Sequence, residues 1–279
     1  MRMKPELTRF NNGIPVTVSN WHLRRQELYD AIVPHEYGAI PPAGEKTFVI
    51  QRSIHMPEAW PKVTHAIYDV VTEFENKVAE FFGAPYAVAT DCCTNALELC
   101  LRLEKQKQGK EVRSIKVPFH TYVSVPNMLI KNGWKFQWGD VHWHEYYYLT
   151  KETIDAAVYW KKNGYEPGTR MCLSFFYRKH LSTDRGGMIL LDNKEDADLL
   201  RLMCYDGRTR SSVPWNEQYI DVFGYHYYMT PHKAKIGLKN FEKVKDVKPM
   251  KKDWDYYPDI HKLPVYKKFG YEEFDISTK

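Results

Sequence analysis

Residues 86–105 read YAVATDCCTNALELCLRLEK, and this stretch sets the architecture. YAVAT is a short β-favouring run, whereas the residues after Asp91 carry apolar side chains on most turns of a helix. A strand, a tight turn and a buried helix therefore follow one another without a spacer. At such a turn the free backbone N–H groups and the positive end of the helix dipole converge, which suits an anion. The Thr94 hydroxyl and the amides of Cys93 and Thr94 are the groups placed to hold a phosphate, with Asn95 just inside the first turn. The plainer alternative is that Thr94 only caps the helix.

Outward from this unit the alternation continues. Upstream, Val63, Ile67, Val70, Val71, Phe74, Val78, Phe81 and Phe82 follow helical spacing, with Gly83 where a C-terminal cap belongs. Downstream, SIKVP (114–118) reads as a strand, YVSVPNMLIKNG (122–133) as a helix and KFQWGDV (135–141) as a strand. TKETIDAAVYWKK (150–162) is expected to be a helix, MCLSF (171–175) and GGMILLD (186–192) strands, and KEDADLLRLMCYDGR (194–208) a helix. Strands alternating with helices predict an α/β protein whose central sheet is mostly parallel and covered on both faces. The expected organisation is an irregular arm over 1–60, where AIPPAGEK punctuates a stretch of poor periodicity, a large α/β domain over 61–210, and a reduced C-terminal region over 211–279 in which KAKIGLKNFEKV forms one more amphipathic helix.

Composition narrows the functional classes. The net charge of +5 is partly carried by KNFEKVKDVKPMKKD and HKLPVYKK, which read as solvated surface and not as a nucleic-acid stripe, so no nucleic-acid partner is expected. The five cysteines form no CxxC pair and no regular framework, as suits reduced thiols in a cytoplasmic protein. No apolar stretch approaches the length of a membrane span or a signal peptide, so no membrane association is expected. His142 and His144 flank Trp143, but two such residues do not make a metal site and none is expected. Cys92 and Cys93 stand at a helix N-terminus, where a thiolate is favoured, although no partner base is legible nearby.

A second stretch, SFFYRKHLSTDRGGM (174–188), places Lys179 just past a buried strand. Partial desolvation there lowers an amine's pKa and frees it for Schiff-base chemistry, whereas a surface lysine would snorkel to water. Ser174 offers a second hydroxyl to the same anion, and Gly186 and Gly187 would let the backbone pass close to a ligand.

These residues resemble the DegT/StrS family of pyridoxal-phosphate-dependent sugar aminotransferases. Ser174, Phe175, Lys179, Gly186, Gly187 and Met188 match the pattern around its cofactor lysine. FENKVAEFFGAPYAVATDCCTNALELCL is similar to the entry helix, first strand and phosphate turn, VPFHTYVSVPNMLIKNGWKFQWGDV to the segment with the ring-stacking aromatic, and FGYHYYMTPHKAKIGLKNFEKV to a later motif, all in family order. The resemblance implies a fold-type I scaffold with pyridoxal phosphate on Lys179, its phosphate held by Cys93, Thr94 and Ser174, and Tyr122 on its ring. It also implies amino transfer, with glutamate as donor, to a keto group of a nucleotide-linked sugar, in a homodimer. A noncatalytic relative, or a cofactor enzyme of another type such as a sugar dehydratase, are the alternatives.

The chain departs from the family at several positions. The turn glycine is Cys93, the Gly-Glu before the paired glycines is Asp184-Arg185, and the later Asn and Arg are His226 and Tyr228; His226 is the candidate to reach a partner's cofactor. The acid that pairs with the pyridine nitrogen has one candidate, Asp155 in TIDAAVYW. The better register, however, sets YYYLTKETIDAAV on the preceding family helix, which makes Asp155 an exposed acid and leaves a strand, a helix and a second strand missing.

Overall fold

The computed structural model describes residues 10, 12, 14–36, 51–55, 65–109, 112, 115–211 and 213–269. The chain divides into two compact units, 1–48 and 49–279. The first holds helix α1 (Trp21–Glu36), a 16-residue element inside the stretch read as irregular; its apolar residues do not gather on one face, so no period announces it. Within α1, Arg24 pairs with Glu27 at 2.5 Å.

The second unit begins with the antiparallel strands β1 (Gln51–His55) and β2 (His65–Tyr68). Then come α2 (Val70–Phe82), β3 (Tyr86–Thr90), α3 (Cys93–Gln108), β4 (Ile115–Pro118), α4 (Ser124–Lys131) and β5 (Phe136–Gly139). Strands β6 (Tyr147–Tyr148), β7 (Thr153–Asp155), β8 (Arg170–Ser174) and β9 (Gly187–Leu191) follow, and the helices α5 (Lys194–Cys204), α6 (Pro231–Val244) and α7 (Pro264–Lys268) complete the order. Helix α2 starts at Val70 and not at Val63, where its apolar period begins, because residues 65–68 pair as a strand; Asp69 caps it by accepting the Thr72 N–H at 2.9 Å, and Gly83 ends it at φ 74°.

The main sheet has the order β3-β9-β8-β7-β6, and β4 pairs in parallel with β5. β7 and β8 are parallel, whereas β9 runs against both β3 and β8, and β6 runs against β7. The α/β architecture is that expected, but the sheet is mixed and not mostly parallel, because the lysine loop turns β8 directly back into β9 with no crossover helix. The Lys116 N–H donates to the Leu149 carbonyl at 3.0 Å, which sets β4 against the end of β6.

Side-chain alternation explains why helices cover both faces. Val88, Cys172, Ile189 and Leu191 enter one apolar cluster with α3 and α5, whereas Ala87, Ala89, Met171, Leu173, Met188 and Leu190 enter a second with α2 and α6. Strands buried on both faces read as continuous apolar runs, as YAVAT and GGMILL do. Between the layers, buried Glu75 of α2 accepts the Ala89 N–H at 2.9 Å and meets Arg201 of α5 at 3.2 Å. Removing either partner of such a pair leaves a buried charge uncompensated. Among the described residues no helix is long and apolar enough to cross a membrane.

One correction concerns residues 150–162. They form no helix: Thr153–Asp155 is β7, paired with β6 and β8, and turns follow. Tyr159 and Trp160 then pack into the α2 layer, with the Trp160 ring stacked on Phe81 at 4.7 Å. Burial of two large rings outweighs the helical preference of the intervening residues.

Helices α2 and α6 approach closely at Gly237, where an added Cβ would come within 2.5 Å of the Phe74 ring. Glycine to alanine inside a helix ordinarily stabilises. Here overpacking reverses the sign, and Gly237→Ala is expected to cost about 1–3 kcal/mol in chemical denaturation, while Lys235→Ala on the exposed face stays within about 0.5 kcal/mol.

Candidate active site

The turn between β3 and α3 forms one wall of a cavity of about 410 Å³. Cys92, not Thr94, is the N-cap, with extended backbone and no side-chain cap bond. Thr94 therefore does not cap the helix; its hydroxyl lies 2.7 Å from that of Ser124 at the start of α4, and both face the cavity. Two hydroxyls beside the uncapped first turn of a long helix make a polar, electropositive cup. The Cys93 side chain is turned inward, donating to the Cys172 carbonyl of β8 at 3.4 Å, so the residue that replaces the expected glycine does not lie across the helix end.

The thiolate expected at this terminus is overturned. Burial, with Asp91 adding to it, pushes the Cys92 thiol up to about 11, and burial with Asp155 nearby pushes Cys93 well above the usual thiol range. Desolvation outweighs the helix dipole for both. The glycine pair also has a reason beyond the ligand approach expected of it. A Cβ on Gly187 would sit 2.4 Å from the Cys92 carbonyl carbon, and one on Gly186 would sit 2.4 Å from the Thr183 hydroxyl, so the close neighbours are the protein's own turn and loop.

Lys179 stands on the loop between β8 and β9. The base of that loop is pinned by Phe175 N–H to the Gly186 carbonyl (2.8 Å) and Thr183 N–H to the Phe175 carbonyl (2.9 Å). Its Nζ points into the cavity and donates to the Tyr257 hydroxyl at 3.3 Å. Burial holds the ammonium below the usual lysine range, against the opposing pull of Asp155 and Cys93. The result is an amine more readily neutral than a surface lysine.

Asp155 closes the floor. As the last residue of β7 it is 6% exposed, which overturns the better sequence register, in which it is an exposed helical acid. Tyr147 donates to its Oδ2 at 2.6 Å, the Ala157 N–H donates to Oδ1 at 3.0 Å, and the Thr121 hydroxyl lies 2.6 Å from that of Tyr147. Burial pushes the carboxyl above the ordinary carboxylate range, while these donors and Lys179 draw it back. Burial and Asp155 together keep Tyr147 a phenol, so it serves as donor to the carboxylate and acceptor from Thr121.

The structure thus brings Cys93, Thr94, Tyr122, Asp155, Ser174 and Lys179 around one cavity. Tyr122 is 57% exposed at its edge. His226 is not among the lining residues; it is exposed and pairs with Asp206 at 3.0 Å. His142 stacks on Trp254 at 4.1 Å and His144 lies 3.3 Å from Asp253, and among the described residues no cluster suited to a metal occurs. Sequence reasoning missed Tyr147, Trp143 and Tyr257. The alternation of exposure along β6 marks Tyr147 as the inward member of its triplet; Tyr257 has no local signal, because Ile260 N–H bonding to the Phe119 carbonyl (2.9 Å) is what carries its segment to the cavity.

These groups fit pyridoxal phosphate. A partly desolvated amine, a buried carboxylate held by two donors, a hydroxyl-lined helix end and an aromatic ring at the rim are the features that cofactor needs.

Residues 61–164 and 161–263 match the DegT/DnrJ/EryC1/StrS aminotransferase family. The spore coat polysaccharide biosynthesis protein SpsC of Bacillus subtilis is 24% identical over 66% of this chain and 59% of its own length. The GDP-perosamine synthase of Caulobacter vibrioides is 32% identical over 33% of this chain and 24% of its own. Among solved structures, AtS13 from Actinomadura melliaura aligns with a TM-score of 0.54 at 21% identity, covering 63% of this chain and 60% of that one. A GDP-4-keto-6-deoxymannose-3-dehydratase aligns at 0.52 and 18% identity, covering 63% and 61%. The likeness shows the fold, and the chain spans less than two thirds of the length of the curated relatives it matches first, 59% and 56%.

Acylation of Lys179 by a small activated ester, which loses its alcohol leaving group to the neutral amine, followed by mass spectrometry against pH, is expected to show a midpoint below the ordinary 10.5. The Asp155 carboxylate favours the ammonium, so Asp155→Asn is expected to move that midpoint further down. A midpoint that stays or rises contradicts the coupling.

Proposed function

The chain belongs to the DegT/DnrJ/EryC1/StrS aminotransferase family, and on that premise we propose that it is a pyridoxal-phosphate enzyme that transfers an amino group, with glutamate as donor, to a keto group of a nucleotide-linked sugar. The observation that carries the proposal is the joint presence of the Lys179 amine and the buried Asp155 carboxylate on one cavity.

In this reading Lys179 holds the cofactor, the α3 terminus with Thr94 and Ser174 holds its phosphate, Tyr122 covers its ring and Asp155 faces its pyridine nitrogen. When bound, the cofactor supplies the electron sink that makes proton removal from an amine-bearing carbon feasible. A cationic ring partner would draw the Asp155 carboxyl back to its ionised form, with Tyr147 and Ala157 N–H fixing both oxygens. Lys179 moves the proton: the neutral Nζ accepts it and the ammonium returns it. Burial, with Asp155 nearby, keeps Tyr257 protonated, so its oxygen is an acceptor that retains the Lys179 amine in the cavity. The rings of Trp143, Tyr147 and Tyr257 limit water on that side.

The noncatalytic alternative rests on the lost acid segment and the Cys93 substitution; a buried Asp155 and a Cys93 side chain turned inward argue against it. A homodimer and a cytoplasmic location belong to the same reading; in a homodimer His226 would act only at a second chain's site.

Added pyridoxal phosphate is expected to give an absorbance distinct from that of free cofactor, and borohydride to fix it on Lys179. Lys179→Ala abolishes fixation and lowers turnover by about 10²–10⁴-fold, and Asp155→Asn leaves fixation but lowers turnover by about 10²–10³-fold. Fixation on another lysine contradicts the assignment. Product lacking nitrogen from a labelled donor assigns a dehydration in place of amino transfer.

A further inference from the structure

Lys179 also stands in the wall of a second, smaller chamber of about 170 Å³. Ala157, Val158, Ser174, Arg178, Lys179 and Lys252 line both spaces, and Trp160, His180 and Met250 line only the smaller. Its lining contains no carboxylate, whereas the larger cavity has Asp155 and Glu145.

The charge balance there differs from that of the rest of the unit. Elsewhere basic side chains meet acids: Arg102 and Lys131 meet Glu98, Arg170 meets Glu104, Arg185 meets Asp91 and Arg201 meets Glu75. Among the described residues no carboxylate forms an ion pair with Arg178, Lys179 or Lys252. Lys252 is nonetheless held in place, its Nζ 3.4 Å from the Arg178 carbonyl and 4.6 Å from the Tyr256 ring centroid. His180 is engaged as well, its Nε2 lying 3.1 Å from the Val244 carbonyl. Arg178, which is exposed, and Lys252 both disfavour the Lys179 ammonium, and an anion from solution offsets that repulsion.

We propose that the smaller chamber binds a small carboxylate, held by Arg178 and Lys252 beside Lys179. The planar guanidinium suits a carboxylate's two oxygens, and an acetate- to amino-acid-sized anion suits the volume. Binding stands on the charges alone; its assignment to the amino donor rests on the reading of Lys179 given above. An occupant also acts on Lys179. The groups that face its Nζ are Asp155 of β7, Cys93 of α3, Tyr257, Arg178 and Lys252, and the last two disfavour its ammonium. An anion between them restores the ammonium, so the bound carboxylate raises the pH at which Lys179 becomes reactive, and it binds more tightly below that pH.

The test uses cofactor-free protein, so it does not depend on any activity. Arg178 is labelled with phenylglyoxal and read by mass spectrometry while L-glutamate, acetate or sodium chloride is added at matched ionic strength. Glutamate is expected to protect Arg178 but not the exposed Arg25, and Lys252→Met to raise the half-protecting concentration roughly tenfold. Protection by glutamate alone assigns the chamber to the donor, and equal protection by acetate assigns it to small carboxylates in general. The acylation midpoint of Lys179 moves up in the presence of the protecting anion. Equal protection by chloride, no protection, or protection unchanged in Lys252→Met overturns the proposal. Arg178 protection in a protein that fixes no pyridoxal phosphate leaves this inference standing and removes the functional reading.

Discussion

A carboxylate buried at the end of a sheet strand is the constraint on which the site depends. Asp155 cannot be ionised there without donors, and the fold provides two: the Tyr147 hydroxyl, itself backed by Thr121, and the Ala157 N–H of the chain's own turn. To supply them, β6 must pair with β7 and β4 must end beside Tyr147. The strand order beyond β8 is therefore tied to the satisfaction of one acid. Burial still keeps that carboxyl above its ordinary range, so the site holds a charge that folding alone does not favour and a cationic ligand would.

The sheet supplies rigidity for this arrangement by being buried on both faces. The same alternation that sends Cys172 to one apolar layer and Leu173 to the other ends at Ser174, from which the lysine loop departs. Pinning that loop at Phe175, Thr183 and Gly186 fixes the reach of Lys179. Gly187 is needed because β9 passes against the Cys92–Cys93 turn, so the anion cup and the lysine loop lock each other in place. The lysine then sits between a space with acids and a space without them, and its protonation responds to what fills either.

Much of this was legible in the sequence where apolar period and element coincide. YAVAT, MCLSF and GGMILLD are strands, α2 and α5 lie within the predicted helices, and α3 and α6 overrun theirs at one end, because their burial is the period itself. The residues themselves offered Thr94, Ser174 and Lys179 beside plainer readings as a cap and a surface lysine; the family resemblance decided between those readings and added Tyr122. The misreading of residues 150–162 has a physical cause. A strand of three residues has no measurable period, and the Ile, Ala and Val around Asp155 suit a helix until pairing with β8 and burial of Trp160 decide otherwise. Tyr147 was hidden in a run of identical residues, and Tyr257 comes to Lys179 only through backbone bonding far along the chain.

The central claim, that Asp155 and Lys179 together form one cofactor site, is tested most directly by loading the protein with pyridoxal phosphate carrying ¹⁵N in its ring and reading that nitrogen by NMR at neutral pH. The account predicts a protonated ring nitrogen in the wild-type protein and an unprotonated one in Asp155→Asn, with the cofactor still fixed on Lys179 in both. An identical nitrogen shift in the two proteins would contradict it.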